Sequence, residues 1–309
     1  MGKVGDDLVS VIVITYKSAA YVTETLESVK RQSYPHIELI ITDDGSRDDT
    51  IEVCRKWIED NRSRFTDARL VTTPVNTGVP SNCNRGWRAA TGPWLKFIAG
   101  DDILLDHCIE EFVRYAKTEP DASFIAAGII PFDENGDREP EYTSNALRKS
   151  TSEAQFTALL RDNCMMPAPA LFVKKALLEK IGGFDERYSM LEDVPFYVKT
   201  LASGYKFYFL DKPLVRYRSW LGSIVNSSDN RHSEQVLQFS KDYVIPLLIR
   251  RRRFLLCWHI LVFNFSIEKS ASVSWLFDNT KLRNMFWLAV DPLYWLVFLS
   301  KMKRRASRS

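Results

Sequence analysis

The amino-acid sequence predicts an α/β protein with a mostly parallel sheet flanked by helices, followed by a helical C-terminal extension. Three observations predict this. Short Val- and Ile-rich runs of strand length occur from Leu8 to Gly100, which is typical of strands buried on both faces. Segments of helix length alternate with them, as in a parallel sheet. After about Ser233 a helical pattern dominates, and aromatic and basic residues become frequent. We therefore expect one domain over residues 1–220 and an extension over residues 221–309.

The first part of the chain is the most regular. Strand, helix and strand follow each other at a spacing that predicts right-handed crossovers between parallel strands. Ser18 is expected to cap the first helix, and Ser46–Asp49 to supply caps and first-turn acids for the second. The expected strands are Leu8–Tyr16, Glu38–Thr42, Arg69–Thr73 and Trp94–Ala99, and the helices run from Ser18 to about Gln32, from Ser46 to about Asp60 and over Val79–Ala90.

The middle of the chain is less regular. A hairpin turn is expected at Glu134–Asp137, and Gly182-Gly183 is expected to stop a helix. The expected strands are Ser123–Ile130, Ala168–Val173, Tyr205–Leu210 and Leu214–Arg218, and the helices are Ser152–Asp162, Lys174–Ile181 and Leu191–Ala202.

Composition limits the class of protein. With 45% apolar and 26% charged residues the chain is globular, not disordered. Residues 241–309 contain 13 Lys or Arg against 4 Asp or Glu, which predicts an anionic partner for that end, either lipid or nucleic acid. The five cysteines are scattered and include no Cys-x-x-Cys pair, so we expect neither a disulfide framework nor a zinc site, but a reducing compartment. The first residues show no signal-peptide pattern.

Polar residues follow three of the four early strands. Thr15-Tyr16-Lys17 ends the first, Thr42–Ser46 with its acids Asp43 and Asp44 ends the second, and Gly100-Asp101-Asp102 ends the fourth. Ligands bind beyond the carboxyl ends of strands in such sheets, so the two acid pairs should converge. Adjacent carboxylates repel each other unless a cation or hydrogen-bond donors compensate them. A divalent ion, held by one or two carboxylates and completed by a diphosphate, is the economical explanation.

The alternative is structural, because acids after strands commonly cap the next helix. For Asp43 and Asp44 both explanations stay open. For Asp101-Asp102, preceded by glycine, capping is the weaker one. Glu192-Asp193 has the same alternative, since two acids are common in the first turn of a helix.

An ordered set of motifs carries a resemblance. Val9–Thr50 resembles the opening of family-2 glycosyltransferases, which have the Rossmann-like GT-A fold. The resemblance covers about residues 8–220. The later matching motifs, in order, are Asn76-Thr77-Gly78, Asn84-Arg85-Gly86, Ala90-Thr91-Gly92, Asp101-Asp102, Ile181-Gly182-Gly183-Phe184-Asp185 and Glu192-Asp193.

The resemblance implies a role for each site residue. Tyr16 is expected to stack on the nucleotide base and Asp44 to bind it by hydrogen bonds. Asp102 is expected to hold Mn²⁺ or Mg²⁺ against the diphosphate. Asp193, supported by Glu192, is the expected general base of an inverting reaction. Further donor-binding residues are Thr15, Asn76, Asn84, Asp101 (on the ribose or sugar) and Arg218 (on a phosphate).

One departure concerns the end of the match. Many relatives have Tyr-Arg-x-His after the last core strand, whereas this chain has Tyr217-Arg218-Ser219-Trp220. A third protein ligand for the metal is therefore in doubt. His232 is a weak substitute, and the other histidines are too dispersed for a metal cluster: His36, His107 and His259.

The C-terminal extension resembles membrane-binding sequence without being a clear span. Met285–Ser300 is interrupted by Asp291-Pro292 and is shorter than the roughly 20 residues that a crossing helix needs. Aromatic residues flanked by Arg250–Arg253 and by the Lys301–Arg308 cluster predict a helix in the interface of an anionic membrane. A buried pair of aromatic helices is the alternative.

These observations predict a metal-dependent inverting glycosyltransferase. We expect a nucleotide-diphosphate donor, a UDP-sugar, and as acceptor a hydroxyl of a lipid-linked saccharide in bacterial O-antigen, capsule or other surface-polysaccharide assembly. We expect a cytoplasmic protein, peripheral on the inner membrane and without a nucleic-acid partner. One alternative is a polyprenyl-phosphate glycosyltransferase. Another is a non-catalytic membrane- or nucleic-acid-binding module, against which Asp44, Asp102 and Asp193 argue.

Overall fold

The structure is a computed structural model, and it describes residues 8–162, 166–219 and 231–268. The chain divides into two compact units. One consists of Met1–Phe156 with Met165–Asp229, and the other of Thr157–Cys164 with Asn230–Ser309. The division expected after residue 220 stays a prediction.

The first unit is built on one nine-stranded sheet, which confirms the predicted α/β class. Eight strands follow the order β3-β2-β1-β4-β8-β6-β9-β5, and β7 pairs with β6. The strands are β1 (Val9–Thr15), β2 (Ile37–Asp43), β3 (Asp67–Thr72), β4 (Trp94–Ala99), β5 (Ile103–Leu104), β6 (Phe124–Asp133), β7 (Gly136–Asp137), β8 (Leu171–Lys174) and β9 (Tyr208–Arg218).

The four strands β3, β2, β1 and β4 are mutually parallel. Every residue of β2 is buried, and so are all but one of β1, which is the burial that their unbroken apolar runs predict. Beyond β4 the sheet is mixed, because β8 runs antiparallel to both β4 and β6 while β9 runs parallel to β6. The regular half of the sequence therefore forms the parallel half of the sheet.

The helices lie close to their predicted positions. The cap predicted at Ser18 is wrong: the first helix begins at Val22, and the Ser18 carbonyl accepts the N–H groups of Tyr21 and Val22. Gly182, with φ +82°, ends the sixth helix as predicted. The helices are α1 (Val22–Lys30), α2 (Thr50–Asn61), α3 (Val79–Ala89), α4 (Cys108–Thr118), α5 (Ser152–Asp162), α6 (Lys175–Ile181) and α7 (Asp193–Ala202).

Two strand predictions are corrected. Ala168–Ala170 is a 3₁₀ turn, and β8 begins only at Leu171. The two strands expected over Tyr205–Leu210 and Leu214–Arg218 are one strand, β9. Its pairing with β6 continues through register shifts between Ala126 and Ile129. These shifts accommodate the Asp-Lys-Pro segment, which in the sequence suggests that one strand ends and another begins.

The second unit is helical over its described residues, as predicted. It contains α8 (Arg231–Phe239), a π-helical turn (Ser240–Val244), α9 (Ile245–Arg250) and α10 (Phe254–Glu268). None of the helices in the described ranges is long and apolar enough to cross a membrane. Met285–Ser300 and the Lys301–Arg308 cluster lie outside the described residues.

Candidate active site

The carboxyl ends of the parallel strands meet at one edge of the sheet. Thr15 lies opposite Asp43, and Asp43 lies opposite Thr72. The Thr15 hydroxyl donates to the Asp43 carboxylate over 2.9 Å and to the Thr42 carbonyl over 3.2 Å. Thr15 is itself buried, so its side chain joins the ends of β1 and β2. The donor-binding role expected of Thr15 stays a prediction.

Asp44, directly after β2, is buried and accepts hydrogen bonds at both carboxylate oxygens. Its Oδ2 accepts the N–H groups of Thr77 and Gly78, over 2.9 and 2.7 Å. Its Oδ1 accepts the Thr77 hydroxyl over 2.7 Å and pairs with Arg85 of α3. A carboxylate has about four acceptor positions, so protein groups occupy all of them. Asp44 thus fixes the loop before α3, and a nucleotide base must replace one of these donors to bind it.

The loop before α3 also contacts the segment before α7. A Cβ on Gly78 would lie 2.5 Å from the Ser189 carbonyl oxygen, and the φ of Gly78 is +95°, so only glycine fits there. The next residue, Val79, donates its N–H to the same carbonyl over 3.0 Å. The two loops therefore approach each other backbone to backbone.

Asn84 on α3 strengthens this junction. Its Nδ2 donates to the Phe184 carbonyl over 2.9 Å and to Glu186 over 2.6 Å. Its Oδ1 accepts the Phe184 N–H over 2.9 Å and the Trp87 indole N–H over 2.8 Å. The buried amide is used fully by protein groups, which makes Asn84 a positioning residue for the loop. Its expected contact with the donor stays a prediction.

Tyr16 and Asn76 occupy exposed positions. Tyr16 follows β1 with 43% of its surface exposed, and the Lys17 ammonium lies 5.2 Å from its ring centroid. The face of an exposed ring is suited to stacking. Asn76 accepts the Gly78 N–H over 3.1 Å and is otherwise at the surface.

Asp102 differs from the other acids at this edge. The residue is buried, and its Oδ1 accepts the Arg218 N–H over 2.9 Å. Its Oδ2 is also buried but has no hydrogen-bond partner among the described residues. Burying such an oxygen without a partner is costly, so this atom points to a missing ligand.

Electrostatics around Asp102 support the same conclusion. Burial, and then the neighbouring Asp101 charge, raise the pKa of Asp102 to about 8. Lys96, fully buried in β4, donates to the Phe97 carbonyl over 2.7 Å and to the Pro169 carbonyl. Burial lowers the pKa of Lys96 to about 8, while the charges of Cys108 and Asp102 raise it. A bound cation would favour the ionised form of Asp102 much more strongly than this lysine does.

Arg218, at the end of β9, contacts the Asp101-Asp102 pair through its backbone and its side chain. Its Nε donates to the Asp101 carbonyl over 2.9 Å, and its Nη2 pairs with Glu24. The guanidinium carbon lies 4.6 and 4.5 Å from the ring centroids of Tyr21 and Phe132. These contacts hold the guanidinium next to the Asp101-Asp102 pair. Contact with a phosphate stays a prediction.

Glu192 and Asp193 lie at the beginning of α7. Asp193 is its first residue, and its carboxylate accepts the Val194 N–H over 2.6 Å. Burial, and then the Asp193 charge, raise the pKa of Glu192. Glu192 lies close enough to α3 for its charge to raise the pKa of Cys83, although burial is the larger cause there.

Tyr217 lies close enough to both acid clusters for their charges to affect its pKa. Burial raises its pKa first, followed by the charges of Asp102, Asp101 and Glu192. The phenol is thus within electrostatic range of both the pair after β4 and the pair at α7. The structure brings these two clusters, expected to bind the donor and to deprotonate the acceptor, to one region of the first unit.

The donor set fits a hard divalent cation. No group of three or more His, Cys, Asp or Glu side chains within the described ranges could hold a metal ion. Mg²⁺ and Mn²⁺, however, are commonly held by one or two carboxylates, with substrate phosphates and water completing the shell. Asp102, with its unpartnered Oδ2, fits that pattern, whereas the ribose or sugar contact expected of Asp101 stays a prediction. Trp220, which replaces the family histidine, lies outside the described residues.

A comparison with known families decides the class of this site. The model of the family described as "Glycosyl transferase family 2" matches residues 10–182 of the chain. The chain belongs to glycosyl transferase family 2. The family match includes the strand-end residues from Thr15 to Asp102, whereas Glu192, Asp193 and Arg218 lie beyond it.

Curated relatives are similarly distant glycosyltransferases. An uncharacterized glycosyltransferase of Methanocaldococcus jannaschii is 24% identical over 71% of this chain and 73% of its own length. The putative glycosyltransferase EpsE of Bacillus subtilis is 25% identical over 68% of this chain and 72% of its own. A PGL/p-HBAD biosynthesis glycosyltransferase of Mycobacterium bovis is 26% identical over 63% of this chain and 70% of its own.

Solved structures confirm the GT-A fold. S. aureus TarS 1–349 in complex with UDP-GlcNAc matches this family 2 glycosyltransferase with a TM-score of 0.64 and 18% identity, over 89% of this chain and 77% of that one. The complex of the same fragment with UDP has a TM-score of 0.61 at 17% identity, over 90% of this chain and 77% of that one. The chain spans 45% of the longer TarS structure.

The structure also adds site residues that sequence reasoning missed. Arg85 is visible only as part of the Asn84-Arg85-Gly86 motif, yet it pairs with Asp44. Lys96 could have been noticed in the sequence, because a lysine inside the apolar strand Trp94–Ala99 is unusual. Tyr217 is visible only as part of the Tyr217-Arg218-Ser219-Trp220 segment, and the antiparallel pairing of β9 with β5, which directly follows Asp102, brings it near the acids.

Proposed function

We propose that this family 2 glycosyltransferase transfers a sugar from a UDP-sugar donor, with inversion and with the help of Mn²⁺ or Mg²⁺. Family membership supports sugar transfer. The UDP and UDP-GlcNAc complexes of TarS 1–349, a protein of similar fold, support the donor class. The donor would lie at the carboxyl edge of β1, β2 and β4, with its base against Tyr16 and near Asp44.

The observation that carries the proposal is the unpartnered Oδ2 of Asp102. In this proposal Asp102 holds the cation against the diphosphate, and Asp101 binds the ribose or the sugar. When bound, the cation stabilises the negative charge of the leaving nucleoside diphosphate. Arg218 keeps Asp102 oriented through its backbone N–H.

The protein's own residues then act on the acceptor. The acceptor hydroxyl gives its proton to the Asp193 carboxylate while its oxygen forms a bond to the anomeric carbon. The bond from that carbon to the phosphate oxygen breaks, and the electron pair leaves with the nucleoside diphosphate. A single carboxylate on the attacking face gives inversion without a covalent intermediate. The raised pKa of Glu192 reduces the charge beside Asp193.

We further propose a lipid-linked saccharide acceptor and a peripheral site at the cytoplasmic face of a membrane, in surface-polysaccharide assembly. The basic, aromatic-rich C-terminal sequence supports a membrane location.

A kinetic comparison tests the base. Asp193→Asn should lower kcat roughly 10²–10⁴-fold, because an amide cannot accept the proton, while donor affinity is largely kept. The measurement is steady-state transfer from UDP-sugars, with calorimetric titration of UDP in Mn²⁺ for binding. Asp211→Asn is the charge control, since Asp211 pairs only with Arg148 at the surface in the described part of the chain. Lost UDP affinity with unchanged kcat would make Asp193 a binding residue.

A separate assay tests the donor and acceptor. UDP-, GDP- and TDP-sugars are screened for Mn²⁺-dependent hydrolysis, and the active donor is then offered lipid-linked saccharide or polyprenyl phosphate. Transfer to the saccharide supports the proposal. Transfer to the lipid phosphate alone would replace it with the polyprenyl-phosphate reaction.

A further inference from the structure

The outer face of α10 is apolar and exposed. Phe254, Trp258, Leu261 and Phe265 follow each other at intervals of four, three and four residues, which places them along one side of the helix. Their exposed fractions are 64%, 52%, 45% and 51%, respectively. Leu255 beside them is 59% exposed. Five large apolar side chains on one surface are unusual for a helix that faces only water.

The opposite face of α10 is already packed. Leu256, Cys257 and Ile260 are buried. Asn264, also buried, donates to the Ser240 hydroxyl over 2.8 Å and so fixes α10 against the π-helical turn. Among the described residues, these contacts pack one face of α10, while the large apolar side chains of the other face stay about half exposed.

Basic residues adjoin the exposed face. Arg250–Arg253 directly precede α10, and Arg250 and Arg252 are exposed. A groove of about 360 Å³ at the start of the helix is lined by Arg252 and Arg253 together with Phe254 and Leu255, and Arg161, also in its lining, is paired with Asp162. The sequence contains no Asp or Glu from 243 to 267. Positive charge and apolar surface are thus continuous.

We propose that this surface, formed by Phe254, Leu255, Trp258, Leu261, Phe265 and Arg250–Arg253, docks on an anionic lipid bilayer. The aromatic and aliphatic side chains enter the boundary between head groups and acyl chains, and the arginines bind the lipid phosphates. The 15 residues of α10 are too few to cross the bilayer, so the helix lies in its plane. The inference rests on the membrane location proposed above and assigns the surface that achieves it.

A second copy of the chain is a poorer occupant of this surface. A two-fold symmetric dimer places the same patch of each copy against the other. Two clusters of four arginines would then face each other without any acid from residues 243–267 between them. Like charges held together in this way oppose association.

Vesicle co-sedimentation of the full chain tests the proposal, using phosphatidylcholine vesicles with and without phosphatidylglycerol. Wild-type protein should bind the anionic vesicles more tightly. Arg250→Gln/Arg252→Gln should weaken that binding roughly tenfold or more at low salt, and high salt should reduce the difference. Trp258→Ser/Phe265→Ser should weaken it at both salt concentrations, because salt does not screen apolar insertion.

Arg55→Gln/Lys56→Gln is the matched control, since it removes two exposed charges from α2 in the first unit. The control should bind like wild type. Equal binding of wild type to neutral and anionic vesicles, or wild-type binding by both test variants, overturns the inference. So does a wild-type dimer that the variants convert to monomer. If Trp258→Ser/Phe265→Ser fails to fold, the arginine variant still decides.

Donor hydrolysis separates this inference from the proposed reaction. All of these variants should keep Mn²⁺-dependent hydrolysis of the active UDP-sugar, because none changes a residue of the candidate active site. Absent hydrolysis in wild type would count against the reaction and leave the docking surface standing.

Discussion

At the end of β2, Asp43 and Asp44 accept hydrogen bonds at every carboxylate oxygen, whereas at the end of β4 one oxygen of Asp102 is buried without a partner in the described part of the chain. The cations near the two pairs differ as well. Arg85 binds Asp44 directly, while Lys96 bonds backbone carbonyls and acts on Asp102 only through its charge.

The difference shows how similar acid pairs at one sheet edge divide their tasks. A carboxylate whose acceptor positions are full holds loops together, and its desolvation is compensated within the protein. A buried carboxylate with an empty position leaves part of that cost uncompensated until a ligand binds. Asp44 belongs to the first kind and Asp102 to the second. Three experiments test this difference between Asp44 and Asp102.

The largest effect is expected from Asp102→Asn. We expect kcat to fall at least about 10²-fold and the Mn²⁺ dependence of UDP binding to disappear, because the amide cannot replace the lost charge. The fold should remain, with Tm within about 3 °C of wild type, since no described donor binds Oδ2. Steady-state kinetics, calorimetry and thermal unfolding measure these quantities. Asp106→Asn, at an exposed pair with Arg31, is the charge control. Near-normal activity of Asp102→Asn in Mn²⁺ would show that the cation binds elsewhere.

Asp44→Asn should have the opposite effect to Asp102→Asn, because it should lower the stability of the fold. The new NH₂ group must face either the N–H groups of Thr77 and Gly78 or the donors of Arg85 and the Thr77 hydroxyl. In both orientations one hydrogen-bond donor is placed against another and loses its acceptor. We expect the free energy of unfolding to fall by about 2–4 kcal/mol, measured by urea denaturation. Asp49→Asn, an exposed acid five residues later, should change it by less than about 0.5 kcal/mol. Unchanged stability with weakened UDP binding would instead make Asp44 primarily a base-binding residue.

The smallest effect is a pH dependence of stability without metal. Burial raises the pKa of Asp102 to about 8, above its value in the unfolded chain, so the folded state retains a proton that the unfolded state loses. The associated stability is present at low pH and is lost as pH rises toward about 8. In EDTA, the difference in unfolding free energy between wild type and Asp102→Asn should change by on the order of 2 kcal/mol between about pH 6 and about pH 8. Parallel pH profiles of the two proteins would contradict the raised pKa.

Local patterns determined much of the fold. Trp94–Ala99 and Ser152–Asp162 have the bounds that apolar runs and helical pattern predict, and Gly182 stops α6 where its freedom to adopt positive φ predicts. The family match likewise covers residues 10–182, where the strand-end motifs from Thr15 to Asp102 lie. Such signals involve residues close in sequence, so the surrounding fold changes them little.

Contacts between distant segments had to come from the tertiary structure. Asp44 and Asp102 each stand second in an acid pair after a strand, and only Gly78, Arg85 and Arg218, brought from other elements, make one carboxylate saturated and the other incomplete. Tyr217 lies within range of the Asp101 and Asp102 charges because β9 pairs with β5, the strand that directly follows these acids. Sequence order determined which chemical groups stand at the strand ends. Burial and hydrogen bonding across the fold decided which of them remains short of a ligand, because desolvation depends on neighbours that are distant along the chain.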